Sequence, residues 1–417
     1  MLEDESGRLR LIGVALETEL LVTGCIIAVM GTENADGDFE VIDIKVPDLP
    51  SHPTAADLAP KPAEGESTTP KGKAEGKGKV AIVSGLGITG DSGSTLSLDL
   101  LMEFLLGEST SPSLQALSSQ MTRLIIAGNS IAEATPLHPD RSDSHHGPTP
   151  KSRGTTKKYG YDASAYNPAP TAHLDNFLAT LLPSLPITLM PGASDPANVS
   201  IPQQPLHPAL FPHSRVYAAP PTPNTAGTTP AAKKPNRTQN THPLHPATNP
   251  SFFTFGSPTS PTSTLFLGHS GQPITDISKY VPLPTTVTST LDLMEATLRW
   301  RLLAPTAPDT LWCYPFQTSE PFVLDEGWCP HVYFVGNMPG AGIRVVEGPR
   351  GERVRCVSVP GFRETGEVVV LDLDWEEGGK EGEGMQIVRF VVQGADGEGR
   401  GGDGAEEGEK PDFFAGV

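Results

Sequence analysis

The sequence predicts a layered α/β domain behind a short β-rich segment. Three observations carry this expectation. From Lys79 onward, strand-like and helix-like runs alternate, a pattern that builds a sheet covered by helices. Five of the apolar runs stop at a glycine followed by small polar residues. Residues 8–47, by contrast, hold three successive β-rich runs.

RLRLIGVA, VTGCIIAVMG and FEVIDIKV are the first expected strands, the last two joined by the turn-like TENADGD. They suit a partial OB-fold domain over residues 1–50. An OB barrel has about five strands, so the chain begins partway through one or takes strands from elsewhere. Residues 51–78 are rich in Pro, Ala, Gly, Thr and Lys and are expected to be a disordered linker, with KGKAEGKGK as a solvated run or a localisation signal.

The main domain is expected over 79–375. VAIVSG is a strand, and STLSLDLLMEFLLG is a helix with Ser92 or Ser94 near its start and Gly107 past its end. RLIIAGN is the next strand. AHLDNFLATLL is a helix whose Leu174, Phe177, Leu178, Leu181 and Leu182 share one face. PITLMPG, TLFLGHSG and HVYFVGN are strands, and TSTLDLMEATLRWRLL is a helix. RVRCVSVPGF, EVVVLDLDW and MQIVRFVVQ form a closing β-rich region. Insertions near 135–168 and 218–262, poor in apolar residues, are expected to be disordered. Residues 376–417 are expected to hold a final strand and an acidic disordered tail.

Composition narrows the chemistry. Hydrophobic residues make up 37% of the chain and aromatics 6%, with 43 glycines and 43 prolines, so the ordered portion is expected to fall short of the full length. A net charge of −19 argues against a surface that itself grips a phosphate backbone, though not against a DNA-associated complex. Residues 1–50 are acidic and contain only Phe39 as an aromatic, so any contact of the OB surface with DNA is expected to be weak or indirect. No apolar run approaches the roughly 18–20 residues that span a bilayer. Cys25, Cys313, Cys329 and Cys356 lie too far apart in sequence for a zinc knuckle and suit buried thiols in a reducing compartment.

The most suggestive motif is Gly85-x-Gly87-x-x-Gly90, the spacing of a dinucleotide-binding loop. That site also needs an acidic residue at the end of the following strand, where this chain has Ala127-Gly128-Asn129. No Gly-Lys-Ser/Thr follows either, which removes a P-loop. The ends IVSGLG, IIAGNS, LMPGASDP, FLGHSG and YFVGNMP should instead converge on one rim, where α/β folds place their sites.

This frame resembles that of the calcineurin-type metallophosphoesterases. Those enzymes carry Asp-x-His, Gly-Asp-x-x-Asp, Gly-Asn-His-Asp/Glu, a lone His and Gly-His-x-His at successive strand ends, a donor set for two metals. Here Ser84 and Leu86 stand where the first Asp and His are wanted, and Asn129 replaces an Asp. Asp195 alone survives of its motif, Asn337 begins Asn-Met-Pro in place of His-x-His, and His269 is a stray imidazole. These are vestigial positions, and no metal, cofactor or catalytic residue is expected. Asp195 also suits a turn carboxylate before Pro196, and His269 a partly buried polar residue. His138, His145 and His146 fall in an insertion, and His207, His242 and His245 flank prolines.

Behind an OB-like segment, this ligand-poor pattern resembles the B-subunits of eukaryotic replicative DNA polymerases. The residues carrying it are LEDESGRLRL, LVTG, VSGLGI, RLIIAGN, FLGHSGQPITDISKY, CPHVYFVGN and VSVPGF. MPGASDPANVSIPQQPLHPALFP (190–212) and APTAPDTLWCYPF (304–316) point to the delta type within that family. The resemblance implies an inactive phosphoesterase sandwich acting as a non-catalytic nuclear scaffold in DNA replication and repair. It implies two partners, the metal-binding C-terminal domain of the DNA polymerase delta catalytic subunit and a third, clamp-binding subunit. An active phosphoesterase with unusual ligands, and an alpha- or epsilon-type B-subunit, stay open as alternatives. Trp300, Trp312, Tyr314 and Phe316 are candidate interface residues because aromatics are enriched at interface cores, as they are in ordinary cores.

Overall fold

The computed structural model of the chain describes residues 1–4, 7–54, 78–90, 96–132, 167–218, 242–255, 263–282, 284–315, 320–373 and 384–390. Its N-terminal part contains β1 (Leu2–Asp4), β2 (Gly7–Leu9), β3 (Leu11–Ile12), a one-turn α1 (Ala15–Thr18), β4 (Ala28–Glu33) and β5 (Phe39–Lys45). β1 and β2 form a separate hairpin, while β3, β5 and β4 form a three-stranded sheet in that order.

Two expected strands are shorter here than their sequences suggested. RLRLIGVA is divided between β2 and β3 and then enters α1. VTGCII is not strand, because the Cys25 N–H closes a turn onto the Val22 carbonyl. Leu20, Val22 and Cys25 instead pack as a strap on the core of the main domain. Gly24 lets the strap approach, since at φ +89° an added Cβ would lie 1.8 Å from the Pro305 carbonyl oxygen.

From Lys79 the chain builds β6 (Lys79–Val83), α2 (Leu96–Leu106), α3 (Pro112–Ser118), β7 (Met121–Ala127), α4 (Ala169–Leu181) and β8 (Ile187–Met190). It continues through β9 (Leu244–Pro246), β10 (Ser251–Phe255), β11 (Thr264–His269), α5 (Gln272–Ser278) and α6 (Val287–Arg299). β12 (Val332–Met338), β13 (Gly342–Glu347), β14 (Arg353–Pro360), α7 (Phe362–Thr365), β15 (Glu367–Asp372) and β16 (Met385–Arg389) complete it. One sheet has the order β16-β15-β6-β7-β8-β9 and the other β10-β11-β12-β14-β13.

The two sheets face each other, and side-chain alternation shows how. Along β6, Val80 and Ile82 enter an apolar layer with Ile125, Phe253, Phe266, Phe334 and Val357, drawn from both sheets. Ala81 and Val83 point the other way, onto Leu101 and Phe104 of α2 and Leu174, Phe177 and Leu178 of α4. On the far sheet, Leu267, Tyr333 and Cys356 meet Ile277 of α5 and Leu291, Met294 and Leu298 of α6. The result is a helix–sheet–sheet–helix stack. Both sheets are covered on two sides, so their central strands read as continuous apolar runs.

Part of the expected insertion at 218–262 is ordered, because residues 242–255 contain β9 and β10. Leu244, Phe253 and Phe255 are buried there, so the strand-forming SFFTF outweighs the Pro, Thr and Asn content around it. Residues 51–54 likewise belong to the fold rather than to a disordered linker. The Cys329 N–H donates to the Ser51 carbonyl (3.1 Å), and the His52 ring stacks on His331 at 4.6 Å. The remainder of that linker, residues 133–166, 219–241 and 256–262, and the tail beyond residue 390 lie outside the described residues.

A dense charged seam joins the N-terminal sheet to the main domain. Arg299 pairs with Asp48 at 2.8 Å, and Arg301 and Arg350 both donate to the Leu49 carbonyl, at 3.1 and 3.2 Å. Leu49 itself is buried in the main core. This seam continues through Glu326, which accepts from both Arg301 and Arg350.

Candidate functional site

The five glycine-terminated runs do converge. β6, β7 and β8 run parallel within one sheet, as do β11, β12 and β14 in the other, and their carboxyl ends meet at one rim. Ser84 is its hub. Its hydroxyl donates to the Pro360 carbonyl (2.9 Å), with the Val359 carbonyl at 3.3 Å, and accepts from the Asn337 N–H (2.8 Å). The Asn337 side chain then donates to the carbonyls of Ser270 (2.8 Å) and Ala127 (3.3 Å). Ala127 ends a strand of the six-stranded sheet, and Ser270 follows a strand of the other. Two positions expected to be vestigial therefore tie the sheets together.

Asn129 and Asp195 complete the rim. Asn129 accepts from the Ser194 N–H at 3.2 Å. The Asp195 carboxylate accepts from the Gly192 N–H (2.8 Å) through one oxygen and from the Ile131 N–H (2.9 Å) through the other. Burial pushes its pKa up to about 6, opposed by those backbone donors. It acts as a turn carboxylate that holds the loop after β8 against the end of β7. Asn129 and Asn337 both have positive φ, 54° and 58°, the left-handed conformation that Asn tolerates better than most residues.

The glycines bring backbones into contact. An added Cβ at Gly128 would lie 2.3 Å from Ser270 Cβ and 2.9 Å from Gly192 Cα. The glycine-rich run itself pairs along the next strand end: the N–H groups of Gly85, Gly87 and Ile88 donate to the carbonyls of Gly128, Asn129 and Ser130. Those donors are thereby occupied and do not form a phosphate cradle. Outside this knot lies an open cleft of about 340 Å³ lined by Gly85, Gly87, Asn129, Ser194, Asn337 and Arg363, among others.

Leu86 and His269 leave the rim. Leu86 is buried in the layer under α2 and α4. His269 Nδ1 accepts from the Gly271 N–H (3.1 Å), which fixes the proton on Nε2, and Nε2 donates to the Tyr333 hydroxyl (2.8 Å). Tyr333 lies in the core layer of α5 and α6, so the imidazole faces inward, and burial holds its pKa down at about 3. Among the described residues, no three His, Cys, Asp or Glu side chains are grouped to hold a metal. Sequence reasoning missed the adjoining amide network. Asn249 Nδ2 lies 2.7–2.8 Å from Gln203 Oε1, Ser270 Oγ and Gln272 Oε1, which share its two hydrogens, and Gln203 Nε2 donates to the carbonyls of Gly192 and Asn198. Its members come from three separate segments, and their spacing carries no signal.

The candidate interface aromatics divide. Trp300 is 3% exposed and packs in the core, as the last turn of α6 faces inward there, and so offers no free surface. Trp312 and Tyr314 are 67% and 42% exposed. Phe316 lies outside the described residues.

Two family models cover this two-sheet sandwich and the small N-terminal sheet seamed to it. A family model for the B-subunit of DNA polymerase alpha/epsilon matches residues 80–342, and one described as DNA polymerase delta subunit OB-fold domain matches residues 1–44. The chain is 34% identical over 378 residues to the DNA polymerase delta small subunit of Arabidopsis thaliana, covering 89% of this chain and 70% of that protein. It is 33% identical over 405 residues to the Saccharomyces cerevisiae DNA polymerase delta small subunit, covering 90% and 68%. For the Drosophila melanogaster DNA polymerase delta subunit 2, the values are 32% over 374 residues, 90% and 71%. The chain belongs to the DNA polymerase delta small-subunit family.

Two outcomes are expected at the rim. Ser84→Ala leaves the Asn337 N–H without its acceptor and should cost about 1–3 kcal/mol in urea unfolding, without changing the secondary structure seen by circular dichroism. The second concerns pH. Unfolded His269 takes up a proton near 6.5 and the folded one only near 3, so His269 lowers stability as pH falls through that window. Asp195 acts oppositely between pH 6 and 3.8, where the folded carboxyl binds the extra proton. The His269→Gln variant should therefore gain stability relative to the parent as pH falls from 6.5 to 4, read as a rising difference in urea midpoints; a pH-independent difference would contradict this.

Proposed function

We propose that this protein is a non-catalytic accessory subunit of DNA polymerase delta. It binds the metal-containing C-terminal domain of the catalytic subunit and bridges it to a third, clamp-binding subunit in nuclear DNA replication and repair. The observation that carries the proposal is the rim. The strand ends that would hold metal ligands in a calcineurin-type sandwich are instead cross-linked by Ser84, Asn129, Asp195 and Asn337, whose polar atoms bond to the protein itself. We assign residues 1–50 as a partial OB-fold domain, 79–375 as an inactive phosphoesterase-like domain, and 376–417 as a final strand and acidic tail.

The large core and the acidic balance, net −19, suit a protein that binds other polypeptides rather than DNA directly. Among the described residues, no helix is long and apolar enough to cross a membrane. The match of residues 1–44 to a delta-type OB domain favours delta over alpha and epsilon.

The test is co-expression with the C-terminal domains of the catalytic subunits of polymerases delta, alpha and epsilon from the same organism, followed by size-exclusion chromatography with light scattering. A one-to-one complex with the delta domain alone is the expected result. No complex with any of the three, from a chain shown by circular dichroism to be folded, would overturn the proposal.

A further inference from the structure

The two segments that point to the delta type, 190–212 and 304–316, are about a hundred residues apart in sequence but meet in space. Ile201 and Cys313 form a parallel bridge, in which the Ile201 N–H donates to the Trp312 carbonyl (2.9 Å) and the Tyr314 N–H donates to the Ile201 carbonyl (3.1 Å). Residues 312–314 are therefore a short extended run, and burial from the bend at 311 through 314 alternates with a period of two. Leu311 and Cys313 pack on the core, while Trp312 and Tyr314 face solvent.

The Cys313 N–H and carbonyl point away from Ile201, and among the described residues nothing pairs with them. This gives a main-chain donor and acceptor flanked by two exposed aromatic rings, with Val199, 74% exposed, two residues before the bridge. An open main-chain edge with exposed side chains at alternate positions is what a strand-adding peptide engages. The local charge is mainly negative, and the nearby Lys279 is already paired with Asp276 (3.0 Å), which also accepts from Thr310. Neither segment contains Lys or Arg, and Asp309 and Glu320 flank the run. Burial and, after it, the charge of nearby Glu320 raise the pKa of the Cys313 thiol.

We infer that the Trp312–Tyr314 run receives an extended, basic segment of a partner polypeptide, which pairs with the Cys313 main chain and places apolar side chains against the two rings. Lys or Arg side chains in that segment face Asp309 and Glu320 and stack on the aromatic faces. A helix would leave the open donor and acceptor unpaired, whereas an extended strand satisfies both. The inference rests on the proposed role as a polymerase accessory subunit, and it assigns the surface through which one of the two partner chains is held.

The test uses the full chain with the third subunit and with the C-terminal domain of the catalytic subunit, each measured separately. The Trp312→Ala/Tyr314→Ala double variant should weaken binding of one of these partners at least tenfold and leave the other within about twofold. The affinity of the parent complex for that same partner should fall as salt is raised. Hydrogen–deuterium exchange of the parent complex should show new protection of the Cys313 amide on binding that same partner. Unchanged affinity for both partners, or no new protection at Cys313, overturns the inference. So does loss of both partners with a lowered melting midpoint, because the rings would then be structural. If the parent protein binds neither partner, the accessory-subunit role itself fails.

Discussion

Ser84 Oγ and the Asn337 side chain hold the ends of two sheets in a fixed relation, and the rest of the rim depends on that link. The apolar layer of Phe253, Phe266, Phe334, Val80 and Ile82 drives the sheets together, but hydrophobic attraction has no direction and would tolerate sliding. Hydrogen bonds between strand ends are directional, and here they run from β6 to β14, from β12 back to β7, and onward to the turn after β11. Glycines at 128 and 192 then allow the loops to close over one another. A metal pair at such a rim would need side-chain donors aimed outward. In this chain the corresponding side chains aim at neighbouring backbone groups, so one set of contacts serves stability and leaves little with which to bind an ion.

Much of the main domain was legible because its signals are long and local. Buried strands such as VAIVSG and RLIIAGN are continuous apolar runs, and the stripe on 172–182 matches the face that α4 buries. The convergence of the strand ends also followed, since parallel strands place their carboxyl ends together. What stayed hidden depends on contacts between distant segments. VTGCII has strand-forming residues, yet its partner is Pro305 rather than another strand. SFFTF sits in a Pro- and Thr-rich window, and only its pairing with β11 makes it a strand.

The candidate site shows the same division. That the strand ends carry Ser84, Leu86, Asn129 and Asn337, with Asp195 the one carboxylate among these positions, is plain in the sequence. That Ser84 and Asn337 cross-link the sheets, that Leu86 and His269 turn into opposite helix layers, and that Gln203 and Asn249 join in an amide network are properties of three-dimensional placement. Trp300 and Trp312 differ only in where the chain carries them: the first ends a helix against the core, and the second follows a turn into an exposed extended run. The seam of Arg299, Arg301 and Arg350 against Asp48, Leu49 and Glu326 adds a further constraint, because it ties the segment that follows the N-terminal sheet to the sandwich.

The proposed role turns on whether the converged rim, a structural knot in its hydrogen bonding, can also hold metal. Metal analysis of the purified chain after incubation with manganese and iron(II), paired with an assay of bis-p-nitrophenyl phosphate hydrolysis, tests it most directly. The account predicts well under one metal ion per chain and no turnover above the metal-only control. Two bound ions per chain with phosphodiester hydrolysis that is lost in Asp195→Asn would contradict it.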